Sequence, residues 1–217
     1  MKKRLLFVCL LVLWSLTLLA QTRKSPRTAH TTEKSAIHVP PDDVPLGLTK
    51  IFSNLGKSNT DLYLDHRGWL VLGPNSIDKP QEFIGMRFIP KFNSTVYQVR
   101  VAVQYFGSGA NRVNLSVYGD SNGTPGTLLA GPVTVTNLPV FGTCCTLAVV
   151  NFNPVAVTAG TQYWVVADTP LTGAGSDSTD AWDFVVPVIP QAFNNGSGWY
   201  SLNVNEQVAG EVRGTIP

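Results

Sequence analysis

Cys144 and Cys145 are adjacent, and they are the only cysteines beyond an apolar N-terminal run that holds Cys9. Neighbouring Cα atoms lie about 3.8 Å apart, closer than the roughly 4.4–6.8 Å usual for a disulfide. A bond between them would close a tight ring that stiffens a turn. The alternative is two thiols on opposite faces of a strand. Zinc needs further nitrogen or sulfur ligands, and the stretch from Leu48 onward offers one histidine, His66. Asp177, Asp180 and Asp183 stand among Ser176, Ser178 and Thr179, and Asp120-x-Asn122-x-Thr124 is a second oxygen-rich run. Both could ligate Ca²⁺, but neither has the twelve-residue ligand pattern, and turns use the same residues. No metal is expected.

Catalysis has little to work with. No Gly-x-Ser-x-Gly elbow occurs, and His66, isolated beside Asp65 and Arg67, reads as a surface histidine rather than a catalytic base. Glycoside hydrolysis needs two carboxylates flanking one bond. Glu82, Asp168, Asp183, Glu206 and Glu211 are available, but nothing in their spacing pairs any two. They read better as solvated turn residues, so no catalytic residue is assigned. No Gly-rich loop precedes a helix, so no nucleotide and no cofactor is expected.

Binding chemistry is better represented. Trp199 shares strand parity with Ser201, Asn203 and Asn205, opposite to Tyr200, Leu202 and Val204. That predicts an indole that is exposed or half-exposed, free to stack on a sugar or a partner surface. A loop tip folded back on the domain is the plainer alternative. Arg100 with Gln98 and Gln104, and Arg112 with Asn114, Ser116 and Tyr118, form an outward polar row. Guanidinium, amide and phenol groups suit hydroxyl or carboxylate recognition, although an ordinary solvated sheet face has the same composition. Trp182 shares parity with Phe184 and Val186, and Trp164 sits in the most apolar run, so both are expected in the core.

Short strands must position these groups. Val99, Val101, Val103 and Tyr105 alternate with polar residues, as do Val113, Leu115 and Val117. Period-two alternation marks strands with one buried face. The loop Phe106 to Asn111 is expected to join the two as an antiparallel hairpin. Asp120-Ser-Asn-Gly-Thr-Pro-Gly126 is a dense turn signal. The 19 Gly and 15 Pro punctuate the chain too often for long helices. The expectation is an all-β fold, an antiparallel β-sandwich of jelly-roll-like form with about ten short strands.

The N-terminus reads as an export signal. Lys2, Lys3 and Arg4 precede an apolar run from Leu5 to Leu19, closed by Ala20. Its helix would span about 24 Å, short for a hydrocarbon core of about 30 Å, so cleavage is favoured over an uncleaved anchor. No membrane span then remains. Residues 1–20 are read as signal peptide, 21–47 as a flexible polar leader and 48–217 as the β-sandwich domain. The formal charge of +2 belongs to the first two segments: from Leu48 the chain has nine basic and eleven acidic residues. A nucleic-acid partner, which needs a basic patch on the domain, is therefore excluded.

Asp120-Ser-Asn-Gly-Thr-Pro-Gly-Thr-Leu-Leu129, Phe141-Gly-Thr-Cys-Cys-Thr-Leu147, Thr158-Ala-Gly-Thr-Gln-Tyr-Trp164 and Asp180-Ala-Trp182 follow one another in order. The chain in this respect resembles secreted bacterial choice-of-anchor β-sandwich domains. The resemblance implies an exported surface or matrix module without established catalysis. The chain ends Gly214-Thr-Ile-Pro217 with no sorting tail, which points to free secretion. The expected function is a non-catalytic module for cell-surface or matrix interaction, with an extracellular polysaccharide or a surface protein as partner. A glycan-active enzyme using carboxylates on a sheet face and a purely structural surface protein are the rival readings.

Overall fold

The computed structural model describes residues 25–31, 47–57, 62–78, 80–170, 177–185 and 189–217. The signal segment 1–20 lies outside them. In chain order the strands are β1 (Thr28–His30), β2 (Thr49–Ser53), β3 (Leu64–Leu72), β4 (Phe83–Phe88) and β5 (Ser94–Val101). Next come β6 (Val103–Ser108), β7 (Arg112–Ser121), β8 (Thr124–Thr136), β9 (Ala148–Val157) and β10 (Tyr163–Asp168). The last are β11 (Thr179–Val185), β12 (Ile189–Asn194), β13 (Trp199–Val204), β14 (Gln207–Val208) and β15 (Gly210–Thr215). Among the described residues there is no helix, and so none long and apolar enough to cross a membrane.

All strand pairings are antiparallel, and they build a sandwich-like body of three sheets. One has the order β13-β12-β4-β10-β7-β8 and a second the order β2-β15-β5-β9. The third runs β1-β3-β11-β14, with β6 also on β11. Alternation dictates which side chains meet. Val113, Leu115 and Val117 of β7, Val165 and Ala167 of β10, and Ile84, Met86 and Phe88 of β4 point inward. They meet Val96, Val99 and Val101 of β5 and Val212 of β15. Each such side chain contributes about 1.5–3 kcal/mol on leaving water. Trp182 belongs to this core, where its Nε1 donates to the Ala209 carbonyl at 2.8 Å. Trp69 packs edge-on against Phe184 and Phe193, at 5.2 and 5.3 Å between centroids.

The hairpin expected between Val99–Tyr105 and Val113–Val117 does not form. The run breaks at Ala102, where the chain leaves the four-stranded sheet for the third sheet. Ala102 N–H donates to the Ala209 carbonyl, and its own carbonyl accepts Asp183 N–H. β6 then pairs with β11, while β7 lies between β10 and β8. Such breaks give fifteen strands among the described residues rather than about ten. Gln104, expected outward, is fully buried: its Nε2 donates to the Thr143 carbonyl and its Oε1 accepts Gly142 N–H. Asn122 and Gly123, both at positive φ, make the two-residue turn between β7 and β8.

The leader assigned to 21–47 contains a strand. β1 pairs with β3, and Ala29 is buried between Leu70, Leu72, Phe141 and Ala181. Arg27 straps this edge down. Its backbone N–H donates to Glu82 Oε1 at 2.9 Å, and its guanidinium reaches the carbonyls of Asp78 and Pro80.

Glu82 is buried, which pushes its carboxyl up to about 7 against the opposing pull of Arg27. Burial likewise holds Asp180 and Asp183 well above the usual carboxylate range, with Asp65 adding to the rise at Asp183. Between the ordinary carboxylate pKa and these raised values the folded chain binds more protons than the unfolded chain. Stability therefore falls as pH rises through that window. Thermal melts are expected to give a higher midpoint at pH 5 than at pH 8. Glu82→Gln should flatten the profile between pH 4.5 and 7, removing on the order of 2 kcal/mol of the dependence.

Candidate functional site

The outer face of the six-stranded sheet carries a row of side chains in transverse register. Thr134 on β8 lies opposite Asn114 on β7, which lies opposite Asp168 on β10. One step beyond the pair Ala167–Ile84 sets Asp168 beside Phe83 on β4. Phe83 in turn lies opposite Asn194 on β12, and Asn194 opposite Trp199 on β13. Every one flanks an inward residue, so all six share the outer face. Each is half-buried or exposed. Strands about 4.8 Å apart make this shelf roughly 24 Å long.

Hydrogen bonds order one half of it. Thr134 Oγ1 donates to Asn114 Oδ1 at 2.7 Å, and Asn114 Nδ2 donates to Asp168 Oδ1 at 2.9 Å. Both ends of the Asn114 amide are thus used, and Asp168 keeps its second oxygen for other donors. Burial raises the Asp168 carboxyl, with the Asn114 bond pulling the other way. Tyr118, further along β7, is raised by burial and then by the charge of Asp168. In the other half, Asn194 Oδ1 accepts Gly196 N–H at 2.9 Å and Gln81 Nε2 at 3.5 Å, and the Asn194 NH₂ has no partner among the described residues. Asn194 stands between the rings of Phe83 and Trp199.

Beside the shelf the face drops to small or fully buried residues: Ser116, Val166, Gly85 and Ala192. Trp164 belongs here too, as the expectation of burial requires, but in an outer cluster with Val166 and Ala192 rather than in the main core. Tyr118 and Trp199 pack against that cluster. The cover is the β7–β8 hairpin. Three register irregularities along it let the tip curl back over the face. Pro125 reaches Gly85 so closely that an added Cβ there would sit 3.2 Å from its Cγ. Asp120 Oδ1 latches the tip, accepting Trp164 Nε1 at 2.8 Å and Gln162 Nε2 at 2.6 Å. Asp120→Ala should free the tip: faster amide exchange over residues 120–126 and a red-shifted, more quenchable tryptophan emission are expected.

The other residues singled out earlier divide sharply. Arg112 flanks the shelf beside Asn114, half-buried, with a buried Nε that has no partner. Arg100 is on a different sheet. It lies buried on the outer face of β5, where its Nη1 donates to Glu211 Oε1 at 3.1 Å, and Glu211 also meets Arg213 and Lys50. It therefore does not join Trp199, Tyr118, Asn114 and Arg112. Asp177 and Asp180 make separate contacts, to Asn75 N–H and Ser178 Oγ, and Asp183 is buried elsewhere along β11. Among the described residues no three metal-ligating side chains gather.

Phe83, Asn194 and Thr134 were not anticipated as site residues, and Asp168 was weighed only among the catalytic carboxylates and set aside. Asp168 has the parity of Trp164 and Val166, a signal that assigns its face but not its neighbours.

Cys144 and Cys145 are joined by a disulfide far from the shelf. Their loop packs on Tyr63, Ala102, Val185 and Ala209, and Tyr63 Oη lies 3.0 Å from the carbonyls of Thr143 and Thr146. Non-reducing alkylation of unfolded exported protein should leave both sulfurs unmodified, read by intact mass. Two adducts would mean free thiols.

No family model matches the chain, and no curated protein does. Among solved structures it is similar to a ruminal GH26 endo-β-1,4-mannanase, with 18% identity and a TM-score of 0.25. The match covers 73% of this chain and 25% of the other, so the chain spans about a quarter of that protein's length.

Proposed function

We propose that this chain is an exported, non-catalytic module that holds an extracellular polysaccharide on the outer face of its six-stranded sheet. The observation that carries the reading is the shelf itself. Six accessible residues from six strands stand in one line, two with aromatic rings and four with hydrogen-bonding groups. Sugars present an apolar C–H face and a rim of hydroxyls, and such a line addresses both. Asp168 is the only carboxylate among the six, whereas glycoside hydrolysis uses a facing pair. Export rests on the basic, apolar and small-residue pattern of Lys2 to Ala20. The choice-of-anchor resemblance fits the same surface or matrix setting.

A glycan array probed with the mature domain tests the reading, followed by titration calorimetry on the best ligand. Binding to at least one polysaccharide class is expected. Trp199→Ala should weaken it roughly tenfold, the scale of one aromatic contact, when measured well below the variant's own thermal midpoint. Uniformly negative arrays, or Trp199→Ala equal to the native protein, would overturn it.

A further inference from the structure

We infer that the ligand of this shelf is a neutral polysaccharide, without branches toward the β7–β8 hairpin, lying across the strands and gripped along an internal stretch of roughly five sugar units, one per strand spacing. The inference rests on the polysaccharide reading and adds length, charge and shape to it.

Length comes from the register. The line runs from Thr134 on one edge strand to Trp199 on the other, crossing all six strands of the sheet. A pyranose unit in an extended chain advances by a step comparable to the strand spacing. Successive units therefore meet successive strands. Both terminal residues sit on edge strands, so a chain can run on past either end. A pocket for a chain terminus would need a wall there.

Shape comes from the flank. On one side the shelf is bounded by the hairpin tip, with Pro125 over Gly85 and Asp120 fixed to Trp164. A branch on that side would meet the hairpin, while the opposite side, with Thr136 exposed and Arg112 half-buried, is open.

Charge complementarity selects a neutral chain. Asp168 is the one formal charge in the line, and Arg112 lies off it, two residues before Asn114 on β7. A polyuronate would bring a carboxylate with nearly every unit against Asp168 and find only one guanidinium. The order of chemistry along the line agrees. The Trp199–Asn194–Phe83 half offers two rings, and the other half offers the Thr134 hydroxyl oxygen and a carboxylate oxygen of Asp168, held in place by the Asn114 amide.

Calorimetry with cello-, xylo- and manno-oligosaccharides of one to six units tests this, with polygalacturonate fragments as the anionic arm. For the series that binds, affinity should rise by roughly a hundredfold between two and five units and then level. Polygalacturonate fragments of equal length should bind at least about tenfold more weakly. Thr134→Val, an exposed change at the far end from Trp199, should weaken the hexamer several-fold with an unchanged melting temperature. If one or two units bind as tightly as six, the extended-chain inference fails while the polysaccharide reading stands. Equal binding of the uronate fragments removes the neutral-chain selection. No binding at any length or charge overturns the polysaccharide reading itself.

Discussion

Val113, Leu115 and Val117 of β7 and Val165 of β10 are fully buried, and they lock the phase of the six-stranded sheet. Strand side chains repeat with period two, so a slip of one residue would bring Asn114 and Ser116 into the core and expel the valines. Losing several buried aliphatic side chains at about 1.5–3 kcal/mol each makes that slip prohibitive. The same phase that buries the valines therefore sets Asn114 and Asp168 on the opposite face. Extended over six strands, it leaves no freedom in which residues line up. The shelf is a by-product of core packing, and the Thr134–Asn114–Asp168 hydrogen bonds only fix side chains that the strand phase has already lined up.

The hairpin adds the second constraint. β8 can bend over the face only because its backbone is allowed to approach β7 closely. At Gly131, φ is +95° and an added Cβ would lie 2.7 Å from the Leu115 carbonyl oxygen. Glycine alone fits that position without moving the neighbouring strand. Pro132 follows and carries no N–H, which suits an edge strand. β9, the edge strand nearby, is also irregular: two extra residues intervene between the pairs Val96–Val155 and Gln98–Asn151. Both edges are thereby blunted against pairing with another strand. An edge so protected can leave the end of the shelf open without inviting aggregation.

The third sheet carries a different burden. Asp180 and Asp183 of β11 are fully buried, and neither oxygen of Asp183 has a hydrogen-bond partner among the described residues. An ionised carboxylate in that position is costly, and the neutral acid is the state that such burial favours. These groups sit where β3, β11 and the turns at Ala102 and Ala209 converge. They occupy the crossing that joins the sheets, away from the shelf. Their effect is on when the body is stable rather than on what it binds.

How much of this is legible in the sequence follows from the range of each signal. Parity is local, so the outward aim of Trp199, Asn114 and Tyr118 can be read from their own strands. Burial of Trp182 can be read the same way. Register between distant strands is not local. Phe83 and Asn194 are 111 residues apart in number yet directly opposed, and nothing in either segment announces the other. Arg100 shows the converse error: its parity is outward, but the chain changes sheets at Ala102, so a shared outward aim places it with Glu211 instead of Asn114. Trp164 shows that parity and burial are separate questions. Its aim is outward, and it is buried because the hairpin of the neighbouring β7 and β8 folds onto it. A face can be read strand by strand. A site that crosses six strands exists only once the long-range pairing is known, and here that pairing turns scattered polar residues into one line.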